Sequence, residues 1–176
     1  SMLVANEVAV VNYRVGAERR RFPVGVSPEG LLYVHGRLWI ANSAIDFGTF
    51  LYGQGTVSVS NAALTAVQAS VNVGTNPQVL ARGGDGGVHV MCTCNYFDRF
   101  GIVYVLDPDT WLPTDSISIG DFPGDLVVGR EGTGYLAGGG FVDSGFVYRY
   151  DTETHAVLNG PASPWKTARG VLGVSP

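Results

Sequence analysis

TNPQVLARGGDGGVHVMCTCNYFDRFGIVYVLDPDTWLPTDSISIG, residues 75–120, reads as one complete structural unit. It opens on a turn, Thr75-Asn76-Pro77, and passes through three short apolar runs: Val79-Leu80-Ala81, Val88-His89-Val90-Met91 and Ile102-Val103-Tyr104-Val105-Leu106. A second turn, Asp107-Pro108-Asp109-Thr110, leads into a last run that closes on Ile119-Gly120. Short runs of β-branched and aromatic residues bounded by Gly, Pro and Asp are strands between turns. The unit therefore predicts four strands.

Working outward, the rest of the chain repeats this unit. The Val-x-Val run recurs as Val8-Ala9-Val10, Val57-Ser58-Val59, Val103-Tyr104-Val105 and Val147-Tyr148-Arg149, at intervals of 49, 46 and 44 residues. The closing turn recurs at Pro28, Pro77 and Pro123, with intervals of 49 and 46 residues. A third line follows each Gly-bearing turn: Leu38-Trp39-Ile40-Ala41, Val88-His89-Val90-Met91 and Tyr135-Leu136-Ala137. Four strands in this period are the size of a propeller blade. With strands lettered A to D from the channel outward, B is the Trp39/His89/Tyr135 run and C the Val-x-Val run.

Both are nearly continuously apolar because stacked blades bury both faces of a sheet. Strand D is outermost and is free to carry Arg19-Arg20-Arg21, expected on a solvated edge with an anion site as the alternative. At the C–D hairpins, Asp107 and Asp151 are placed to accept from backbone N–H groups two residues on.

Totals agree with an all-β globular chain. In 176 residues there are 45% hydrophobic positions, 25 Gly and 9 Pro, and no window keeps a helical period. A net charge of -4, with one Lys among 11 basic residues, offers no basic field for nucleic acid. No apolar run reaches the length of a transmembrane helix. Ser1-Met2 reads as a cloning scar, which leaves room for a signal peptide upstream.

The phrases "NPQVLARGGDGGVHVMCT", "GTVSVSNAALTAVQASVNVGTNP" and "IVYVLDPDTWLPTDSISIGDFP" resemble the YVTN-type β-propeller repeat. The likeness spans nearly the whole chain. It departs where Trp39-Ile40-Ala41-Asn42 becomes Leu136-Ala137-Gly138-Gly139, and where the B–C loops run long. It implies a periplasmic, secreted or cell-surface propeller and carries little about activity, because such propellers host binding and enzymatic members alike.

The expected architecture is a β-propeller portion of about three and a half blades in one partial domain. Residues 1–25 supply only strands C and D; 26–74, 75–120 and 121–170 are full blades; 171–176 begins the next, with a strand A at 171–174. About half a ring invites completion, either by a second copy, giving a homodimer with the unfinished blade built from both chains, or by the missing half of a longer chain.

The B–C and D–A connections of a propeller share one end of the channel, where ligands commonly sit. Acids recur there: Asp46 beside Phe47, Asp98, Asp143, and Asp121 from a D–A loop. As a set these suit a hard cation or a polar ligand, although Asp is also an ordinary turn former. Loop 43–55 carries Phe47, Phe50, Leu51 and Tyr52, enough apolar surface either to fold over its blade or to form a contact surface.

Cys92 and Cys94 lie too close in sequence for an unstrained disulfide and read as small core residues, with a soft-metal pair as the lesser alternative. The three histidines read as scattered, with His35 and His155 at the end opposite the B–C loops. There is no Gly-x-Ser-x-Gly elbow, and the glycine-rich GREGTGYLAGGG has the period of a strand–turn–strand passage rather than a phosphate loop. No cofactor or metal is named by the sequence and no catalytic residue is singled out. The reading is a non-catalytic binding or scaffold propeller with a small-molecule, glycan or protein ligand. The alternatives are a lactonase-like hydrolase or lyase at the channel mouth, and a module for assembly alone.

Overall fold

The computed structural model describes residues 1–139, 145–167 and 173–175, and all the regular structure in them is β. Strands β1 (Glu7–Val11) and β2 (Glu18–Pro23) pair as a two-stranded antiparallel sheet. Next, β3 (Pro28–Val34), β4 (Arg37–Asn42), β7 (Thr56–Ser60) and β8 (Val67–Asn72) form a four-stranded sheet in that order. Between β4 and β7 stands a small hairpin, β5 (Ile45–Asp46) with β6 (Leu51–Tyr52).

The next sheet is β9 (Pro77–Arg82), β10 (Val88–Cys92), β11 (Ile102–Leu106) and β12 (Pro113–Ser118). The last contains β13 (Pro123–Val128), β14 (Thr133–Gly138), β15 (Gly145–Asp151) and an outer strand in two pieces, β16 (Val157–Asn159) and β17 (Trp165–Thr167). Both pieces pair with β15, one along Arg149 and Tyr150 and the other along 145–147. Glycine-rich 129–132 is the turn between β13 and β14, with no helix near it. The expected inner strand at 171–174 is not seen in its described part. Residues 173–175 carry no strand, and the Val174 N–H donates instead to Asp125 Oδ2 at 3.0 Å.

The core shows why B and C strands are apolar on both sides. Along β10, Val88, Val90 and Cys92 face Trp39, Ala41, Val57 and Val59 of the preceding sheet, whereas Met91 faces Leu136, Tyr148 and Tyr150 of the following one. Along β4, Ile40 turns back to Val8 and Phe22 of the two-stranded sheet. Alternation along each strand thus feeds two interfaces at once. Each fully buried Val, Leu or Phe contributes about 1.5–3 kcal/mol of transfer free energy.

Strand direction then sorts the loops. Because consecutive strands are antiparallel, the ends of B and D and the starts of A and C share one end of the molecule, and the A–B and C–D turns share the other. Asp46 and Asp98 stand at the first end, Asp107 and Asp151 at the second. Asp107 Oδ1 accepts from the Asp109 and Thr110 N–H groups at 2.9 and 2.7 Å, and Asp151 Oδ1 accepts from Glu153 and Thr154 at 2.9 and 2.8 Å. These are the Asx turns read from the sequence. The Arg19-Arg20-Arg21 run lies on exposed β2, with Arg21 paired to Glu18 at 2.6 Å and Arg20 Nη1 donating to the Ala63 carbonyl at 3.0 Å.

Candidate functional site

At the B–C end, the loops of the two middle sheets enclose a cleft of about 540 Å³ lined by Phe50, Tyr52, Gln54, Phe97, Asp98 and Arg99 among others. Hairpin β5–β6 forms one wall. It projects rather than folding over its blade: Phe50 is 70% and Leu51 65% exposed. The other wall is 95–99, an Asx-capped turn in which Asn95 Oδ1 accepts from the N–H groups of Phe97, Asp98 and Arg99. Asn95 Nδ2 donates to Asp98 Oδ1 at 2.7 Å, and Arg99 Nη1 reaches back to Thr75 Oγ1 at 3.1 Å. That turn leaves Phe97 standing in solvent.

Aromatic rings continue across the same end. Tyr52 lies 6.4 Å from Tyr96, Tyr96 5.5 Å from Phe122, and Phe122 5.8 Å from Phe100, between ring centroids. Burial raises the Tyr96 phenol pKa, against the hydrogen bonds from Gln78 and Asn76. Burial likewise raises that of Tyr52, and the nearby Tyr96 and Glu29 add to it. The row therefore stays neutral at physiological pH. It spans three loops and offers ring faces beside amide and carboxylate groups.

Of the acids expected to converge, Asp98 lines this cleft. Asp46 is turned to its own hairpin, where Oδ1 accepts from the Gly48 N–H at 2.7 Å, a bond that lowers its carboxyl pKa. Phe47 beside it is 44% exposed. Asp121 Oδ2 accepts from the Tyr148 hydroxyl. Burial raises the pKa of that phenol, and the Asp121 carboxylate raises it further. Asp143 lies outside the described residues.

A second constellation lies at the opposite end, between the last two sheets, and it joins two histidines that look scattered in the sequence. His89, the second residue of β10, faces the following sheet and is fully buried. Its Nδ1 lies 2.9 Å from the Tyr150 hydroxyl and its Nε2 3.1 Å from Asp85 Oδ1. Asp85 belongs to the turn 83–87, where its Oδ1 also accepts from the Gly87 N–H at 2.9 Å. The other oxygen, Oδ2, lies 3.2 Å from His155 Nε2, and His155 Nδ1 is 2.6 Å from Asp115 Oδ2. Tyr150, His89, Asp85, His155 and Asp115 thus form one chain of contacts across two sheets.

The electrostatics follow the burial. Burial lowers the His89 pKa despite the Asp85 carboxylate. At His155 burial is the largest single influence and lowers the pKa, but the hydrogen bonds to Asp115 and Asp85 and the charges of both carboxylates together outweigh it, and the pKa rises. Burial works to raise the Asp85 pKa, but the Gly87 N–H and the two imidazoles together outweigh it and hold the carboxyl below the ordinary range. Gly83 is required beside them, since a Cβ there would overlap both His89 Nε2 and Asp85 Oδ1.

Cys92 and Cys94 are free and buried in this fold, with Cys94 Sγ directed at the Phe100 carbonyl. Burial raises both thiol pKa values. They belong to the core and loop base rather than to either constellation.

No protein-family model matches the chain, and no curated protein matches its sequence. Among solved structures it is similar to the hydrazine synthase of Kuenenia stuttgartiensis, with a TM-score of 0.73 and 18% identity over 94% of this chain. It is similar to the Dos1 propeller, with a TM-score of 0.64 and 15% identity over 95% of this chain. The computationally designed Ika8 protein gives 0.62 and 10% over 92%. The chain spans 43% of the length of the first and of the second, and 44% of the third. At these identities the likeness defines the fold, and the fold is that of a β-propeller, present here as a partial ring. No helix among the described residues is long and apolar enough to cross a membrane.

Proposed function

We propose that the chain is a binding propeller of the YVTN type, working in the periplasm or at the cell surface, whose ligand docks on the B–C and D–A loop end. The observation that carries this reading is the cleft between the two middle blades. There Phe50 and Phe97, 70% and 83% exposed, flank Asp98, Arg99 and Asn95. Exposed aromatic faces beside convergent polar groups suit a glycan or an extended peptide, where rings stack and side chains orient. Asp98 acts as an acceptor for such a ligand.

The test is a thermal-shift screen with neutral oligosaccharides and unstructured peptides, since whatever binds only the folded chain raises its melting temperature. A shift lost in Phe97→Ala and weakened in Asp98→Asn, without turnover, supports the reading. Metal-dependent ester or lactone hydrolysis abolished by Asp98→Asn would replace it with the hydrolase.

A role in assembly is favoured by one further observation. Among the described residues β2 is the one strand paired with β1, which otherwise carries a single bridge from Met2 to Glu7, and Val11, Tyr13 and Val15 beside it are 51%, 86% and 71% exposed. A second copy, or the remainder of a longer chain, would cover that edge and complete the ring. Light scattering coupled to size exclusion separates the two occupants: a dimer at micromolar concentration supports self-completion, and a monodisperse monomer excludes it.

A further inference from the structure

We propose that Asp85, His89 and His155 form a binding site for one divalent transition-metal ion of the zinc class, which fastens the two last blades together at the A–B and C–D end. The site is separate from the loop-end cleft and does not rest on the ligand reading given for it.

Three observations carry it. The first is the donor set: one carboxylate oxygen and two imidazole nitrogens lie within 4.8 Å of one another. Both Nε2 atoms face the same carboxylate, at 3.1 and 3.2 Å. Ligands held at about 2.0–2.2 Å from a tetrahedral zinc are about 3.4 Å apart, so only a small closing of the trio is needed. Two imidazoles with one carboxylate is also a donor set that borderline metals prefer and that Mg²⁺ or Ca²⁺, which favour oxygen, do not.

The second observation is what stands behind each imidazole. A metal-binding histidine donates its other N–H to an acceptor, which fixes the tautomer that turns a lone pair to the ion. His155 Nδ1 meets the Asp115 carboxylate at 2.6 Å, and His89 Nδ1 meets the Tyr150 hydroxyl at 2.9 Å. Both rings already carry such a partner on Nδ1, leaving Nε2 for the metal.

The third is space and access. Gly83 has no side chain where a Cβ would fill the room beside His89 Nε2 and Asp85 Oδ1. His89 is closed off at 0% side-chain exposure, whereas Asp85 and His155 are 23% and 19% exposed. An ion can enter from that side, and water can complete its coordination there. Asp85 and His89 come from one blade and His155 from the next, so the three are brought together only by the fold.

The test uses the whole chain, stripped with a chelator and dialysed, and then Zn²⁺ or Co²⁺ alone. The expected result is one equivalent bound per chain and a raised melting temperature. Co²⁺ should give the visible absorption of a four-coordinate site without a thiolate charge-transfer band, and Mg²⁺ and Ca²⁺ should give no shift. Asp85→Asn, nearly isosteric, and His155→Ala should each weaken Zn²⁺ by more than the roughly 10–100-fold typical of changes behind the ligands. Asp115→Asn, behind a ligand, should fall within that range. His35→Ala, at the same end and outside the trio, should bind as wild type does. Three results would overturn the proposal: no metal-dependent shift in the wild type, binding unchanged in Asp85→Asn, or a thiolate band, which would assign the ion to Cys92 and Cys94.

Discussion

His155 Nε2 lies 3.2 Å from Asp85 Oδ2 although 70 positions separate them and they stand on different sheets. Both side chains are largely withdrawn from water, so this contact, together with those of His89 to Tyr150 and His155 to Asp115, adds a polar coupling to two blades that also meet through a shared apolar core. Partly buried groups in one network do not act independently. In chelator, a double-mutant cycle of Asp85→Asn and His155→Gln should return a coupling free energy of about 0.5–3 kcal/mol. Measured additivity of the two changes by urea denaturation would mean that the contact does not hold the blades.

The same pair shows how far the chain could be read before its structure. The strands were legible because burial on both faces leaves an apolar signature, and the turns because Asp107 and Asp151 carry their own hydrogen-bond chemistry. The His–Asp chain was not, because contact between blades joins positions 40, 61 and 70 residues apart, which no local pattern marks. One signal was present. His155 stands at the repeat position of Trp111, and both adopt positive φ, 60° and 61°. Trp111 packs under Arg37 of the preceding blade at 5.1 Å. In register, therefore, His155 had to meet the equivalent turn of its own neighbour, which holds Asp85. Asp46 and Asp121, by contrast, look in sequence like members of a ring of ligands, because sequence does not distinguish an acid aimed at a channel from one bonded to its own turn or to Tyr148.

Close approach of inner strands gives a second prediction. At Gly30 in β3 a Cβ would overlap the Gln78 carbonyl of β9, and backbone cannot yield as a side-chain end can. Gly124, in β13, has nothing within 4 Å of the same position. Gly30→Ala should destabilise by about 1–3 kcal/mol, the usual range for overpacking, and Gly124→Ala should stay within about 0.5 kcal/mol of wild type. Equal effects in denaturant melts would mean that the inner strands are not packed this closely.

Thiol chemistry gives a third. Cys92 is 0% and Cys94 4% exposed, and burial holds both as thiols rather than the thiolates that react. An aromatic disulfide reagent at mildly alkaline pH should leave the native protein unlabelled and label two cysteines in denaturant. Fast labelling of either in the native state would place it outside the core.

Glu29 gives the fourth, and links stability to the loop end. Its carboxyl, on β3 near Tyr52 and Tyr96, is partly buried. Burial raises its pKa more than the Ser43 hydroxyl lowers it. The folded chain therefore holds this proton more tightly than the unfolded chain does. The resulting stabilisation is complete below the unfolded value of about 4.3 and is lost as pH rises through the higher folded value. At neutral pH the fold carries an ionised group it would bind better protonated. Glu29→Gln, which resembles the protonated acid, should melt at a higher temperature than wild type at pH 7 and converge with it near pH 4. A difference that does not change with pH, or a variant less stable at pH 7, would mean that Glu29 is solvated or stably paired. The predicted gain would instead identify a carboxylate held against the aromatic row, positioned to accept hydrogen bonds from whatever stacks there.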